Sequence, residues 1–357
     1  MGEYFSMKTT IVTTTINIPH FLKDYESNAQ HYNHDVNFVV VGDVKSLLGT
    51  SSFCRTITNC VFLNLVKQAD YLRRFSKLAE HLPVNSVERR NVGMLWAYEE
   101  GADIIITLDD DNLATTNDMI GAHEVVGTSP ELPTYESSSG WFNVCSILEE
   151  KHGVEFYHRG YSPAHRWENS RISSNRATSN IVVNAGLWLD NPDVDAITRL
   201  ERTPCVTGYK PGHPATIALA LGTWSPFNCQ NTALARKVLP AYFLSPHIGR
   251  HSDIFASYVI ARLAEYFQDG ISFGDPLVFH ARNPHDLWKD LDAEREGMRL
   301  TDSFCTALRN TPIHAVNYHE GFGQIITGLT DWMKENKQEK IIEGMIYWHE
   351  AFERIGV

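Results

Sequence analysis

Three consecutive carboxylates, Asp109-Asp110-Asp111, follow directly on the apolar run Ile104-Ile105-Ile106-Thr107-Leu108. Adjacent negative charges repel, so stability alone does not favour such a run at the end of a strand. A hard divalent cation removes the repulsion, because carboxylate oxygens suit Mg²⁺ or Mn²⁺. In open α/β sheets ligands sit beyond the carboxyl ends of strands, which is where these residues fall. A solvated turn or a helix N-terminus also welcomes aspartate. The apolar strand immediately before the run favours the metal. One helix upstream, Arg89-Arg90-Asn91-x-Gly93 sets basic residues at a helix N-terminus, where they could face a phosphate or a nucleoside. An arginine pair on its own is more often a solvated surface.

These residues need a scaffold, and the chain predicts one. Thr9 to Ile16 is β-branched and ends at Asn17 and Pro19, so it reads as a buried strand meeting a turn. Phe21 to Tyr32 is compatible with a helix, and Val36 to Val41 is a second strand closed by Gly42-Asp43. Residues 50 to 80 fit no single period. Asn91 to Glu100 reads as a helix ended by Gly101, and the Ile104 to Leu108 strand follows. Strand and helix alternate, which implies an α/β fold of Rossmann type with a mostly parallel central sheet and helices on both faces. After the Ser-rich stretch Glu136 to Gly140 the middle third is rich in turns and aromatics. Asp253 to Gln268 returns to helical spacing, and Leu277 to Phe279 is a short strand leading to His280. Near the C-terminus Ile341, Met345, Trp348, Phe352 and Ile355 fall on one helical face. That stripe implies a helix covering the core, with a contact in a homo-oligomer as the alternative.

Composition narrows the function. The 357 residues are 43% hydrophobic and 21% charged, an ordinary globular balance. The net charge of −12 argues against a sequence-independent grip on nucleic acid. It still allows a negatively charged substrate if a metal ion lies between. The six cysteines are scattered without a Cys-x-x-Cys pair, which suits a reducing compartment. No apolar run is long enough for a membrane span, and no signal-peptide core is present. A cytoplasmic enzyme is the expectation. Met1-Gly2-Glu3-Tyr4-Phe5-Ser6 fits the loose myristoylation pattern, read here as a start residue followed by a small one.

The Asp-x-Asp arrangement after a strand resembles that of glycosyltransferases with the nucleotide-sugar-binding architecture called GT-A. Further blocks narrow the resemblance. His158-Arg159-Gly160-Tyr161-Ser162-Pro163-Ala164-His165-Arg166 resembles the Arg-Gly-Tyr-Pro-Phe-Ser-Leu-Arg segment of the reversibly glycosylated polypeptides, glycosyltransferase family 75. Gly186-Leu187-Trp188-Leu189-Asp190-x-Pro192-Asp193-x-Asp195-Ala196 is similar to that family's Gly-Leu-Trp-Leu-Asn-x-Pro-Asp-Tyr-Asp-Ala. Gly222-Thr223 with Pro226, and Ile248-Gly249-Arg250-His251-Ser252-Asp253, also have counterparts, and His280 falls where the family has Trp-His-Ser. The blocks keep their order from about residue 10 to about residue 295. Ser-Pro-Ala-His between the arginines and Asn184-Ala185 depart from the family pattern, and residues 300 to 357 have no match.

The resemblance implies a catalytic domain over residues 1–300 and a helical C-terminal extension over 301–357. It implies a UDP-sugar substrate and, as best-known activity, UDP-arabinopyranose mutase, a pyranose/furanose isomerase that passes through self-glycosylation. Arg159 matches the arginine that becomes glycosylated. A guanidinium is protonated and has no free lone pair, so a carboxylate must take its proton as the bond forms. Asp253 is the expected acceptor, with Asp193 or Asp195 behind it. A phosphate clamp or salt bridge is the alternative role for Arg159. Arg166 reads as a partner of the diphosphate. His280 is expected as a third metal ligand beside Asp109 and Asp111, or as a buried hydrogen-bonded histidine. Asp43, Arg90, Asn91, Asp109 and Trp188 are expected around the nucleotide-sugar, although Trp188 and Trp224 could each fill the core. Transfer to a separate small-molecule acceptor, or sugar-nucleotide binding without catalysis, remains open at this stage.

Overall fold

The computed structural model describes residues 7–357; the Met1–Ser6 segment lies outside them. Four parallel strands form one half of a sheet: β1 (Thr9–Thr14), β2 (Val36–Val41), β3 (Cys60–Leu63) and β4 (Ile104–Leu108), in the order β3-β2-β1-β4. The helices between them are α1 (Leu22–Tyr32), α2 (Thr50–Cys54), α3 (Leu65–Leu72), α4 (Ser76–His81) and α5 (Arg90–Glu99). The stretch 50–80 thus holds short helices and a strand too brief to set a period. Helix α5 lies close against the sheet because of Gly93. A Cβ there would meet Val12 and Val41 at 2.6 Å, so this glycine of the Arg-Arg-Asn-x-Gly segment serves packing.

The strands that follow are β5 (Asn112–Leu113), β6 (Glu131–Ser137), β7 (Leu148–Glu150), β8 (Ile172–Thr178), β9 (Ile181–Asp190), β10 (Val206–Tyr209), β11 (Thr216–Leu219), β12 (Asn231–Ala235) and β13 (Gly270–His280). They extend the sheet beyond β4 in the order β12-β9-β13-β11-β6-β8. Strand β12 is antiparallel to both β4 and β9, β9 and β13 are parallel, and β11 and β8 pair antiparallel with β13 and β6. The sheet is therefore mixed, not mostly parallel as the sequence rhythm implied. The middle third returns through long loops instead of helical crossovers, so its strands enter in either direction. The result is a mixed α/β fold with a large central sheet and helices on both sides.

Helices α6 (Ala196–Glu201), α7 (Ser252–Phe267), α8 (Leu287–Asn310), α9 (Tyr318–Glu335) and α10 (Glu339–Ile355) complete the chain. Residue 300 lies inside α8, so the helical part begins at Leu287 and a division at 300/301 has no break in the backbone to match it. The C-terminal stripe is spent on the core: Ile341, Met345, Trp348 and Phe352 are buried, and the Trp348 indole donates to the Leu239 carbonyl at 3.3 Å. Among the described residues no helix is long and apolar enough to cross a membrane.

Candidate active site

The carboxyl ends of β1, β2 and β4 border a cleft of about 400 Å³. Thr14 to Asn17, Gly42, Asp43, Lys45, Arg89, Asp110 and Asn283 are among its walls. The three aspartates part company here. Asp109 turns back to Arg90, which is nearly fully buried and needs a counter-charge. Arg90 also donates to the Cys229 carbonyl at 2.6 Å and to the Thr14 hydroxyl at 3.1 Å. Asp110 faces the cleft and accepts from the Thr15 hydroxyl at 2.7 Å and the Asn17 amide at 3.3 Å. Asp111 turns the other way, and its Oδ2 lies 3.5 Å from Nε2 of His280.

The His280 contact is informative because its other nitrogen is fixed. Nδ1 lies 2.5 Å from the Asn191 carbonyl, which can only accept, so Nδ1 carries the proton. Nε2 faces a carboxylate oxygen of Asp111, as a donor when the ring is charged and with a lone pair when it is neutral. Only the neutral ring can bind a cation, and a metal between the two groups would hold it in that form. A histidine whose second nitrogen donates to a backbone carbonyl is also the usual setting of a metal ligand. Burial works to lift the Asp111 carboxyl, and His280 outweighs it, holding the group below the usual carboxylate range. The Asn283 backbone and side chain donate to Oδ2 at 3.4 and 3.3 Å, which ties Asp111 to the cleft wall. The donor pair Asp111 and His280 fits Mn²⁺, since a pure oxygen site would suit Mg²⁺ better. Asp109, expected as a ligand beside them, turns instead to Arg90. Its carboxylate is drawn away by the buried Arg90.

A second charged cluster surrounds Arg159. Its Nε donates to Asp193 at 3.0 and 3.1 Å, and its terminal nitrogens reach Asp193 at 2.8 Å and Asp253 at 2.9 and 3.1 Å. The carbonyl of Arg250 takes the remaining donor, so all five N–H groups are engaged. Burial disfavours the guanidinium, the two carboxylates outweigh it, and Arg159 is held firmly protonated. Burial likewise works against Asp193 and Asp253, yet Arg159 holds both below the usual carboxylate range. Asp193 is also fixed by Asn228 at 2.8 Å, and its carbonyl accepts from the Arg159 backbone N–H at 2.8 Å.

The segment Asn228-Cys229-Gln230 links the two clusters. Asn228 holds Asp193, Cys229 offers its backbone N–H to Asp253 at 3.4 Å and its carbonyl to Arg90, and the Gln230 carbonyl accepts from the Asp109 backbone N–H at 3.0 Å. Nothing in the residue pattern of this segment announced that role. Thr15, Asn17 and Asn283 were equally silent, although Asn283 stands only three residues after His280.

Other expected site residues have structural posts. Asn91 is buried, and its amide bonds the Glu88 and Leu244 carbonyls and the Leu244 N–H at 2.8, 2.7 and 3.1 Å, leaving nothing for a nucleotide. Arg89, not Arg90, lines the cleft. Trp188 is fully buried against His158 and touches no open space. Trp224 is buried too, with its indole on Glu265 at 2.8 Å. Asp43 lies in the cleft wall, but its carboxylate accepts from the backbone N–H groups of Val44, Asn85 and Ser86 at 2.6, 2.6 and 2.9 Å, clamping two loops together. Arg166 is paired with Asp195, which also caps α6.

No family model matches the chain. UDP-arabinopyranose mutases 2 and 1 of Arabidopsis thaliana are 26% and 25% identical to it over 193 residues, covering 48% of this chain and 50% of each relative. The chain thus spans about half the length of the curated relatives it matches. Among solved structures, glucosyl-3-phosphoglycerate synthase from Mycobacterium tuberculosis aligns over 84% of this chain and 80% of that one, with a TM-score of 0.43 and 12% identity. Mannosyl-3-phosphoglycerate synthase from Rubrobacter xylanophilus aligns over 87% and 78%, with a TM-score of 0.42 and 9% identity.

Proposed function

We propose that the chain is a nucleotide-sugar enzyme of GT-A type acting at the anomeric carbon of a UDP-sugar, and within that class a pyranose/furanose mutase related to the reversibly glycosylated polypeptides. The observation that carries the reading is the cleft at the strand ends with the Asp111–His280 pair at its rim, joined by Asn283. Asp111 and His280 would hold a divalent metal, which when bound neutralises the diphosphate and makes it a better leaving group. The partial likeness to the plant mutases supports the same choice.

In this reading Arg159 carries the sugar transiently. As the bond from the anomeric carbon to the diphosphate oxygen breaks, a bond to a terminal nitrogen of Arg159 forms, and that nitrogen gives its proton to Asp253. The retained diphosphate later re-forms its bond to the anomeric carbon after ring opening and reclosure, and the proton returns to the nitrogen. Asp253 suits the task better than Asp193, because Asp193 is fully buried whereas Asp253 keeps a little exposure. Incubation with UDP-arabinopyranose, other UDP-pentoses and UDP-hexoses, with and without Mn²⁺, tests the proposal. A furanose product is expected, and its absence from every donor would end the mutase reading.

One observation favours transfer to a separate acceptor instead. Arg159 is 4% exposed, with every N–H engaged, which suits a fixed electrostatic anchor. Radiolabelled donor separates the two: a mutase keeps all label on nucleotide, whereas a transferase releases UDP in step with a new glycoside. A pentose or hexose on a peptide containing Arg159 favours the mutase.

A further inference from the structure

We propose that Arg199, Arg250 and Arg282 form a binding site for a phosphate group beside the Asp111–His280 pair. The three arrive from different parts of the chain: Arg199 from α6, Arg250 just before α7, and Arg282 two residues after the end of β13. Helix α8 collects them. Its Glu294 accepts from Arg250 Nε at 3.0 Å and from the Ala196 backbone N–H, at the start of α6, at 2.7 Å. Its Asp290 accepts from Arg282 at 2.9 Å, lies 3.6 Å from Arg250 and pairs with His285 at 3.1 Å.

The charges do not balance locally. Two carboxylates serve three guanidinium groups, and Arg199 is the one left over. It is 5% exposed, yet among the described residues no carboxylate pairs with it. Its Nη2 donates to the Pro192 carbonyl, and its Nε is buried without a partner. Burial first, and then the charge of Arg282, pull Arg199 down to about 10; Asp193 opposes them only in part, being committed to Arg159. A buried cation without a counter-charge is costly unless an anion joins it.

The remaining donors are set for one. Among the described residues Arg282 uses a single nitrogen, on Asp290, and the Arg250 and His285 side chains are 27% and 29% exposed, which opens the cluster to solvent. Guanidinium groups from separate elements suit a phosphate, with its three acceptor oxygens and second negative charge, better than a carboxylate with two oxygens. Arg282 lies between Ala281, whose N–H donates to the Asp111 carbonyl at 2.9 Å, and Asn283, which holds the Asp111 carboxylate. At the other end of the cluster the Arg250 carbonyl accepts from Arg159. The site thus connects the two charged groups of the candidate active site. Two molecules can bring the phosphate, the nucleotide-sugar through its diphosphate or a phosphorylated acceptor, and only this choice rests on the proposed function.

The test is titration of the whole chain with inorganic phosphate in EDTA, read by calorimetry and thermal melting, with chloride at equal ionic strength as the control. One phosphate per chain is expected, with a rise in melting midpoint of roughly 2 °C at about ten times the dissociation constant. Arg199→Gln and Arg282→Gln should each weaken phosphate binding about 10-fold or more, and Arg199→Lys, which keeps the charge, should lose less. No phosphate-specific binding by the parent chain, or binding as tight as the parent's in both Gln variants, would overturn the site. Repeating the titration on the UDP-loaded chain names the source. Phosphate displaced by UDP assigns the site to the donor's diphosphate, and phosphate retained beside UDP assigns it to an acceptor. A chain that binds phosphate but not UDP would refute the nucleotide-sugar reading and leave this site standing.

Discussion

At the scale of single residues, two charged pairs carry different duties. Asp111 and His280 lie 3.5 Å apart and would share the metal, so Asp111→Asn should cut Mn²⁺-dependent UDP binding about 10-fold or more while leaving metal-free binding unchanged. Calorimetry with and without Mn²⁺ reads both halves of that expectation. Arg159 is different, because a guanidinium held by two carboxylates could be a carrier or only an anchor. Arg159→Lys keeps the charge but loses the planar set of donors. Under the mutase proposal it abolishes both covalent glycosylation and isomerisation. Turnover near the parental rate would make Arg159 an electrostatic partner, and the chemistry would then be direct transfer.

At the scale of elements, the site depends on how tightly the Arg159 segment sits on the start of α7. Gly160 has φ +79°, and a Cβ there would lie 2.3 Å from Cγ2 of Ile254. The buried Tyr258 hydroxyl also holds the Gly160 carbonyl at 2.6 Å. Gly160→Ala therefore combines backbone strain with a clash, and should lower stability by about 2 kcal/mol or more. Chemical denaturation measures the loss. The variant should lose activity beyond its loss of folded protein, because moving this segment separates Arg159 from Asp253. An unchanged kcat in the folded fraction would show that the two need not be held together.

At the scale of the whole molecule, the buried carboxylates make the fold sensitive to acid. Asp193 and Asp253 are held below their ordinary range by Arg159, so they are depressed relative to the unfolded chain. Their contribution is fully present above about pH 4 and is lost as the pH falls below it. Denaturation at pH 5 and pH 3 should show this loss, and Asp193→Asn should flatten the step between them. The same variant leaves Arg159 short of a counter-charge and should cost about 3–5 kcal/mol at pH 7. The C-terminal helices matter at this scale too. Trp348 is fully buried between α10 and the Leu239 backbone, so Trp348→Ala should lower stability by about 3–5 kcal/mol, read from the denaturation midpoint.

Local patterns in the chain determined the elements that carry the site. The β-branched runs at Thr9 and Val36 and the Ile104 to Leu108 run became strands because their residues suit a pleated, fully buried position. The run of aspartates was legible for a related reason: like charges at a strand end need an explanation. Which aspartate does what was not legible. That depended on Arg90 and His280, which approach from 19 residues before Asp109 and from the far end of β13. Trp188 and Asn91 show the same limit from the other side, since both residue types can bind a sugar-nucleotide, and only the fold places both in the buried interior. The mixed sheet was hidden because strand direction is set by the path of the connections, not by the composition of the strands. Local sequence fixes what a segment can form and which groups it carries. Charge partners, burial and strand direction come from residues far apart in the chain, and only the folded arrangement decides them.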